Sequence, residues 1–457
     1  MTDSDHSLPG VPRIISRSEH NISRADISRN ALKVLYRLKD AGYQSFLVGG
    51  SVRDLLLGRQ PKDFDVATDA HPDEVRALFG NCRLIGRRFR LAHVRFGGEI
   101  IEVATFRGTG NEDVPASERQ VAADSGRLLR DNVYGTLEED VWRRDFTVNA
   151  LYYNIADFSV WDYTGGFADV AARKLRVLGD PEARFREDPV RMLRAARFAA
   201  KLGFSIEEGA ARQISELGGL MEAIPPARLF DEFLKLFQSG HAFASYQELQ
   251  RHGLFSCLFP ATASWLAPGG GARSRFIEEA LRNTDARVAA DRPVTPMFLI
   301  GVFLWGAVAD RAAALSAGGM SDFQAMATAS AELTAEQAER IAMPRRYSIP
   351  MREMLQLQMR FDRTRGARAL VFLESARFRA AYDLYVLRAQ VGNADPAVAD
   401  WWTRLQELPP GEQRAALGVG AGARPANSDR RPGRRRRGQR RLRDDNAGEG
   451  ADTLPVG

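Results

Sequence analysis

Cysteine is scarce in this chain of 457 residues, which has only Cys82 and Cys257, 175 positions apart. Neither cysteine belongs to a CxxC pair or to a group of cysteines and histidines spaced as metal ligands, so a disulfide framework and a zinc-finger class are excluded. The first residues, MTDSDHSLPGVPR, contain no apolar stretch. We therefore expect no secretory signal and a protein of the reducing cytoplasm.

The chain also lacks an apolar run of bilayer length. Its longest uncharged apolar stretch, residues 293–309 (PVTPMFLIGVFLWGAVA), is shorter than the roughly 20 residues that a transmembrane helix needs, and two prolines interrupt its start. We predict a buried core helix in this stretch and no membrane span.

Acidic and basic residues nearly balance outside one segment close to the end of the chain. The 64 lysines and arginines exceed the 58 acids by six, but ten arginines and a single acid lie between Arg424 and Arg443. This segment is also rich in Gly, Ala and Pro, so it cannot bury a core and is predicted to be disordered. Its arginines favour an anionic partner such as the phosphates of a nucleic acid, which they would bind irrespective of sequence. They include Arg434, Arg435, Arg436 and Arg437.

The rest of the chain divides into two parts by its pattern. Residues 26–178 alternate short β-like runs with helical ones, which predicts an α+β domain with a small sheet. Residues 179–408 consist of amphipathic runs rich in Ala, Leu and Arg, which predict an all-helical neck (179–275) and body (276–408). A polar leader (1–25) and a disordered arginine-rich tail (409–457) complete the predicted organisation.

The segment KDFDVAT holds two acids at alternate positions, Asp63 and Asp65, next to the apolar residues Phe64 and Val66. Residues two apart in a strand point to the same face, so the two carboxylates would converge while their neighbours pack inward. Paired carboxylates of this kind suit Mg²⁺, a hard cation that prefers oxygen ligands. A solvated acidic strand edge is the alternative for such a pair taken alone.

A glycine pair precedes these acids in the chain. A strand-like run that ends at Val48 is followed by Gly49, Gly50 and a helical segment. Glycines between a strand and a helix let the backbone approach a phosphate closely. The segment has no GxxxxGK[ST] motif, which disfavours a Walker-type ATPase. Arg53 in the first helical turn could reach the same phosphate, or it could cap and solubilise the helix together with Asp54.

A third acid is predicted on a neighbouring strand. Glu102 lies between apolar residues in EIIEVATF, where an ionised side chain is costly unless it binds a metal or lies at an edge. Two aspartates and this glutamate are the acids that a two-metal phosphoryl-transfer site requires. Glu99, in the same run, is the alternative third ligand.

Four motifs in a fixed order resemble those of a known family. GGSVRDLLLG and PKDFDVAT, followed by RRDFTVNALYYN (143–154) and GDPEARFREDPVRMLRAARFAAKLGF (179–204), are similar to the signature of the class II nucleotidyltransferases of the polymerase-β-like superfamily. This family comprises bacterial poly(A) polymerases and tRNA CCA-adding enzymes. The resemblance covers roughly residues 26–410 and implies a polymerase-β-like catalytic head followed by a helical neck and body.

The resemblance also implies roles for particular residues. Asp63 and Asp65 would hold Mg²⁺, with Glu102 as the third acid of a two-metal site in which Mn²⁺ could substitute. The residues that would bind the triphosphate and the ribose of the incoming nucleotide are Gly49, Gly50, Arg53, Arg144, Asp145 and Asn149.

The segment REDPVRMLRAAR predicts a helix that starts at Asp188 and Pro189, with Arg191, Arg194 and Arg197 on one face. A capped amphipathic helix with a solvated arginine stripe would also explain this pattern. The resemblance implies that Asp188 and Arg191 read the base, with Arg194 beside them in the nucleotide site. A carboxylate and a guanidinium match the amino group and ring nitrogen of adenine, but cytosine presents the same two groups, so the pair does not identify the nucleotide.

Two further features favour the polyadenylating branch of the family. The segment LIGRRFRLAHV (84–94), with Arg87, Arg88 and Arg90 as RNA contacts, is similar to a stretch of bacterial poly(A) polymerases, and a basic tail is common among them. We predict a monomeric, template-independent enzyme that adds AMP from ATP to RNA 3′ ends. The alternatives are a tRNA CCA-adding enzyme and a non-catalytic RNA-binding protein on the same fold.

Overall fold

The computed structural model describes residues 10–86, 90–108, 134–268 and 270–419. Its strands are β1 (Arg13–Ile15), β2 (Ser45–Val48), β3 (Asp65–Thr68), β4 (Cys82–Ile85), β5 (Leu91–Phe96), β6 (Glu99–Thr105), β7 (Leu151–Asn154), β8 (Val160–Asp162), β9 (Lys174–Leu175) and β10 (Ser205–Ile206). The first eight strands form one mixed sheet in the order β1-β8-β7-β2-β3-β6-β5-β4. The remaining two strands pair with each other.

Five short helices accompany this sheet in the N-terminal part. They are α1 (Arg29–Asp40), α2 (Gly50–Leu56), α3 (Pro72–Leu78), α4 (Leu137–Trp142) and α5 (Gly166–Ala171). Helix α1 buries Ala31, Val34, Leu35 and Leu38, whose helical spacing is visible in the sequence, and Ser28 caps the helix by accepting hydrogen bonds from two backbone N–H groups. The predicted α+β head is therefore confirmed.

The pairings at the centre of the sheet determine where the acids lie. β3 runs antiparallel to β2 and parallel to β6, and Asp65 is the register partner of Glu102. The strand starts at Asp65, so the prediction that it also contains Asp63 is wrong, and Asp63 lies in the loop before it. The predicted alternation nevertheless holds, because Phe64 and Val66 are buried while both aspartates are exposed.

Part of the segment predicted as a polar leader belongs to the sheet. β1 pairs antiparallel with β8 and forms one edge of the sheet, and Ile15 and Ile22 are buried. The leader prediction is therefore wrong for these residues. A three-residue edge strand leaves too short an apolar run to be recognised among polar neighbours.

Apart from the two-residue strand β10, the regular structure of the described chain is helical from residue 179 onward, as predicted. Its helices are α6 (Pro181–Glu187), α7 (Val190–Leu202), α8 (Glu208–Leu217), α9 (Pro226–Phe237), α10 (Ala242–Arg251), α11 (Leu254–Leu258), α12 (Pro260–Leu266), α13 (Gly270–Ala289), α14 (Pro296–Ala317), α15 (Asp322–Ile341), α16 (Arg345–Leu357), α17 (Ala367–Leu373), α18 (Phe378–Gln390), α19 (Pro396–Glu407) and α20 (Pro410–Ala416). Within the described residues, α14 is the one helix long and apolar enough to cross a membrane. Leu299, Ile300 and Phe303 are nevertheless buried among neighbouring helices, in agreement with the predicted core helix.

The ordered chain continues beyond the predicted start of the tail at residue 409. Helix α20 follows Pro409, Leu417 is fully buried, and the Leu417 carbonyl accepts a hydrogen bond of 2.7 Å from the N–H of Gly366. The predicted boundary at residue 409 is therefore wrong, because the two prolines begin a helix instead of ending the fold. Residues 420–457, with the predicted RNA contacts Arg434 to Arg437, lie outside the described residues.

Candidate active site

A cleft of about 500 Å³ lies where the ends of β2 and β3 face helix α7. Its lining includes every residue predicted to bind the nucleotide and two of the three predicted metal ligands. These residues are Gly49, Gly50, Arg53, Asp63, Asp65, Arg144, Asp145, Asn149, Asp188, Arg191 and Arg194. The remaining lining residues are Ser51, Asp54, Lys62, Arg143, Phe198 and Lys201.

Gly49 allows the backbone to turn tightly from β2 into α2 at the edge of the cleft. Its φ is +69°, a conformation that side chains with a Cβ rarely adopt, and a Cβ there would lie 3.2 Å from Nη1 of Arg144. The Ser51 hydroxyl donates a hydrogen bond of 2.9 Å to the carbonyl of Val48, which ties the start of the helix to the end of the strand. The sequence therefore has a glycine where the backbone passes so close to Arg144 that a side chain would crowd it.

The predicted acids are only partly brought together. Asp63 and Asp65 line the cleft, whereas Glu102 lies beside it on β6, with its Oε2 3.3 Å from Nε2 of His93. Among the described residues, no three His, Cys, Asp or Glu side chains converge closely enough to hold a metal ion. The structure thus presents two acids at the cleft and a third next to Asp65 that pairs with a histidine.

Glu99, the alternative third acid, has a structural role. It accepts hydrogen bonds of 2.5 Å from the Ser28 hydroxyl and 2.6 Å from Nδ2 of Asn30, at the start of helix α1. An odd separation along a strand places Glu99 and Glu102 on opposite faces of the sheet. The alternative assignment of the third carboxylate to Glu99 is therefore wrong.

The electrostatics around Asp65 favour a bound cation. The protein around the cleft partly desolvates Asp65 and raises its pKa to about 6, and repulsion from Glu102 and Asp63 adds to this rise against the attraction of Arg144. A divalent ion between Asp63 and Asp65 would relieve the repulsion. Mg²⁺ is usually held by one or two carboxylates and completed by substrate phosphates, so two acids beside a cationic cleft fit such an ion.

A chain of hydrogen bonds runs under the cleft and joins three elements. Arg53 is 2% exposed, and its guanidinium donates to Asp54 at 2.7 and 2.9 Å and to Oδ1 of Asn149. Nδ2 of Asn149 donates to Oδ1 of Asp145 at 3.2 Å. Oδ2 of Asp145 accepts two bonds from Arg194, at 2.9 and 2.5 Å. Helix α2, the turn before β7 and helix α7 are thereby fixed relative to one another.

Arg144 is a fixed cation at the edge of the cleft. Its guanidinium donates to the Tyr152 hydroxyl at 2.7 Å, to Oδ2 of Asp140 at 3.1 Å and to the carbonyl of Asn149 at 3.3 Å. Burial opposes the charge, but Tyr152 and Asp140 outweigh this effect and raise the pKa of Arg144 above its usual value. A guanidinium oriented in this way can meet a phosphate without first becoming ordered.

Both members of the predicted base-reading pair line the cleft, but each binds other residues. Oδ2 of Asp188 accepts a bond of 3.0 Å from Arg228, and Oδ1 accepts one of 3.3 Å from the N–H of Val190. Arg191 donates to Oε2 of Glu187 at 2.6 Å and to a backbone carbonyl at 2.8 Å. The two side chains are therefore held separately, each by a neighbour outside the predicted set.

The sequence contained a signal for two cleft residues that the prediction missed. Phe198 and Lys201 follow Arg194 at intervals of four and seven, so helical periodicity places them on the same face of α7. The guanidinium groups of Arg194 and Arg53 lie 5.5 and 5.6 Å from the centre of the Phe198 ring. Arg228 gave no such signal, because its contact with Asp188 spans 40 positions.

The predicted RNA contacts near residue 90 are only partly visible. Arg87 and Arg88 lie outside the described residues. Arg90 is exposed, and its guanidinium lies 3.5 Å from the carboxylate of Asp73.

Comparison with known families identifies three matching regions. Residues 45–176 match the poly(A) polymerase head domain, and residues 203–266 match a region described as the "probable RNA and SrmB-binding site of polymerase A". Residues 318–441 match the polymerase A arginine-rich C-terminus. The cleft residues up to Asn149 thus fall within the matched head domain.

Whole-chain relatives are similar over most of their length. Poly(A) polymerase I of Salmonella typhi is 50% identical over 411 residues, which cover 88% of each chain, and that of Haemophilus influenzae is 44% identical over 88% of this chain and 90% of its own. The CCA-adding enzyme of Lactobacillus helveticus is 37% identical but matches only 49% of this chain and 53% of its own. Sequence similarity to this CCA-adding enzyme is thus confined to about half of the chain.

A solved structure shares the fold along most of the chain. The Bacillus stearothermophilus CCA-adding enzyme in complex with CTP is 25% identical, with a TM-score of 0.54 over 86% of this chain and 88% of its own. The arrangement of a sheet-based head and a long helical half is therefore shared with an enzyme that binds a nucleoside triphosphate.

Proposed function

The chain belongs to the poly(A) polymerase I family, and from this membership we propose that it is a template-independent polynucleotide adenylyltransferase. It transfers AMP from ATP to the 3′ hydroxyl of RNA and releases pyrophosphate. The observation that carries the proposal is the cleft, in which two aspartates, a glycine turn and ordered guanidinium groups line the same space.

The cleft residues would have different roles in the reaction according to their chemistry. Asp63 and Asp65, with Glu102 beside them, would hold the Mg²⁺ of a two-metal site. Two such ions would lower the pKa of the attacking hydroxyl and neutralise charge on the departing pyrophosphate. Seven cationic and five acidic side chains line the cleft, so its lining has a formal charge of +2, which favours an anionic ligand. Arg144 and Lys201 would pair with the triphosphate. Positioning and charge stabilisation suffice for phosphoryl transfer, so no covalent enzyme intermediate is needed.

The remaining groups orient the nucleotide. Asp145 and Asn149 form the central links of the hydrogen-bond chain under the cleft and would bind the ribose and phosphates. Asp188 and Arg191 would read the base. We assign catalysis to the sheet-based head, base selection and RNA binding to the neck (179–275), and further RNA binding to the helical body that follows it, in a cytoplasmic monomer.

The direct test is to incubate the full chain with Mg²⁺, an unstructured RNA and one nucleoside triphosphate at a time. We expect long ladders with ATP alone. Addition of two C and one A to a tRNA that lacks its 3′ end, without ladders on other RNA, would identify a CCA-adding enzyme instead. RNA binding without incorporation of any nucleotide would point to the non-catalytic alternative.

Arg228→Ala tests the assignment of base reading to Asp188. Loss of the 3.0 Å contact would free the Asp188 carboxylate, and a hydrogen bond to a charged group contributes about 1.5–3 kcal/mol. Because Arg228 is half exposed, we expect a smaller effect, a rise in KM for ATP of about fivefold together with a lower preference for ATP over UTP, whose base lacks the amino group that Asp188 would bind. The control is Arg251→Ala, which removes another exposed arginine from an ion pair, with Glu248. Unchanged KM and selectivity would contradict the assignment.

The arginine-rich tail is expected to serve RNA affinity, not transfer, and to attach RNA-processing proteins. A chain that ends after Val419 keeps helix α20 and the buried Leu417 but loses all ten arginines. We expect weaker RNA binding and a shallower dependence of log K on log salt, with AMP transfer retained at saturating RNA. A chain that ends after Arg443 retains the ten arginines and should behave like the full chain. Loss of transfer in the shorter chain would contradict this division of labour.

A further inference from the structure

A second cavity lies in the helical half, apart from the nucleotide cleft. It has a volume of about 630 Å³ and lies between helices α13 and α18 and the segment that leads into α14. None of its lining residues takes part in the nucleotide cleft, and none falls within residues 203–266, the region matched to the family's RNA-binding description.

The floor of this cavity is apolar and includes an anchored aromatic ring. Phe298, Val386 and Leu387 contribute to the lining. Tyr382 is buried beside them, and its hydroxyl lies 2.6 Å from the hydroxyl of Thr403. Apolar and aromatic side chains in a cavity can contact the face of any nucleobase.

The rim of the cavity is cationic, with one acid. Arg287, Arg292 and Arg379 line it together with Asp383, which gives a formal charge of +2. Nε of Arg379 lies 3.0 Å from Oδ1 of Asp383, and the same guanidinium lies 5.4 Å from the centre of the Tyr382 ring. Burial raises the pKa of Asp383, against the attraction of Arg379 and Arg287. A partly desolvated carboxylate and a guanidinium therefore stand side by side above an apolar floor.

A hydrogen bond fixes helix α13, which lines the cavity, to helix α10. Ala242 donates its N–H to Oδ1 of Asp285 at 2.6 Å, and both neighbours of Asp285 in helix α13 line the cavity. RNA whose 3′ end lies in the cleft would occupy a second site of the same chain with a nucleotide upstream of that end.

We propose that this cavity binds one nucleotide of the acceptor RNA upstream of its 3′ end, with the base on the apolar floor and the flanking phosphates on the arginines. The inference rests on the proposed function, in which RNA is the acceptor. Asp383 can accept from an exocyclic amino group while Arg379 donates to the adjacent ring nitrogen, so adenine and cytosine fit better than uracil. As the tail grows, the occupant becomes adenine, and the site then holds the enzyme's own product.

Two tryptophan substitutions on helix α13 test the proposal. Ala286 and Ala289 are both exposed alanines, but only Ala286 lines the cavity. Ala286→Trp fills the cavity, and Ala289→Trp adds the same side chain outside it. We expect Ala286→Trp to raise the dissociation constant for a 15-nucleotide oligo(A), measured by fluorescence anisotropy without ATP, by about fivefold to tenfold. The KM for the same oligo(A) should rise by the same factor. The KM for ATP and the extension of a trinucleotide primer should not change.

Ala289→Trp is the control and should bind and extend oligo(A) like the unchanged chain. All three proteins should have the same melting temperature.

Arg379→Gln supplies a second measurement that does not depend on filling the cavity. Loss of the donor to the ring nitrogen should narrow the preference for oligo(A) over oligo(U). Equal RNA affinity in both tryptophan variants would overturn the proposal, as would a rise in KM for ATP that is the same with short and long primers. Anisotropy measures RNA binding without transfer. If the unchanged chain binds oligo(A) through this cavity but adds no AMP, the proposed function is refuted while the proposed RNA site is not.

Discussion

We expect the Asp65→Asn variant to lose AMP transfer by about a thousandfold or more while its affinity for RNA remains close to that of the unchanged chain. Asp65 starts β3 at the cleft and is the register partner of Glu102, so its carboxylate is the most central of the three acids. An amide keeps the shape of the side chain but removes the charge that a divalent ion requires. Single-turnover incorporation of labelled ATP measures the loss.

The matched control is Asp69→Asn, which lies just past the other end of the same strand and does not line the cleft. Asp69 accepts a hydrogen bond of 2.8 Å from the N–H of Gln44, and an asparagine oxygen can keep this bond. We expect full activity in this control. Transfer within tenfold of normal in Asp65→Asn would contradict the assignment of Asp65 to the metal.

Thermal unfolding gives a readout of the same site that is independent of activity. The surroundings raise the pKa of Asp65, so its ionised form destabilises the fold at neutral pH, and the neutral amide removes this repulsion. Without divalent ions, Asp65→Asn should therefore melt at a higher temperature than the unchanged chain. Added Mg²⁺ should stabilise the unchanged chain and leave the variant unaffected. A variant that melts lower in both conditions would indicate a structural role for Asp65.

Local sequence pattern was sufficient where neighbours in the chain determine the geometry. The glycine turn at Gly49, the alternation around Asp65 and the arginine face of α7 all follow from positive φ, strand period and helical period. These rules act over fewer than about ten residues, so a single sequence contains the information. The family resemblance, not these local rules, supplied the roles of Arg144, Asp145, Asn149 and Asp188, and these residues line the same cleft.

Long-range pairing could not be predicted from the sequence in the same way. Arg53 was expected to reach a phosphate, yet its guanidinium bonds to Asn149, 96 positions away. Asp188 was expected to act with Arg191, yet its carboxylate is held by Arg228. Which of several cations meets a given carboxylate depends on how helices pack, and neither periodicity nor composition specifies that packing. The same limit explains the two ends of the fold, where Ile15 and Leu417 are buried by contacts with distant segments.

We expect Arg194→Ala to lower AMP transfer by about a hundredfold, because the hydrogen-bond chain under the cleft depends on this side chain. Arg194 gives Asp145 two bonds, and Asp145 in turn accepts the bond from Asn149. Burial disfavours the charge of Arg194, but the Asp145 carboxylate outweighs this and raises the pKa of the arginine. The alanine variant leaves a nearly buried carboxylate without its partner, which should lower the free energy of unfolding by about 2 kcal/mol, less than for a fully buried pair.

A loss of stability alone would not explain a loss of transfer, and a double-mutant cycle separates the two. Adding Asp145→Asn to Arg194→Ala removes the unpaired charge, so we expect most of the stability to return. Transfer should stay low, since residue 145 still lacks its two hydrogen bonds from helix α7. The matched control is Arg186→Ala, which removes an arginine 2.9 Å from Glu182. Both of these side chains are half exposed, so the free energy of unfolding should change by no more than about 1 kcal/mol and transfer should remain intact. Recovery of transfer together with stability would show that the Arg194 and Asp145 pair supports the fold and does not position the nucleotide.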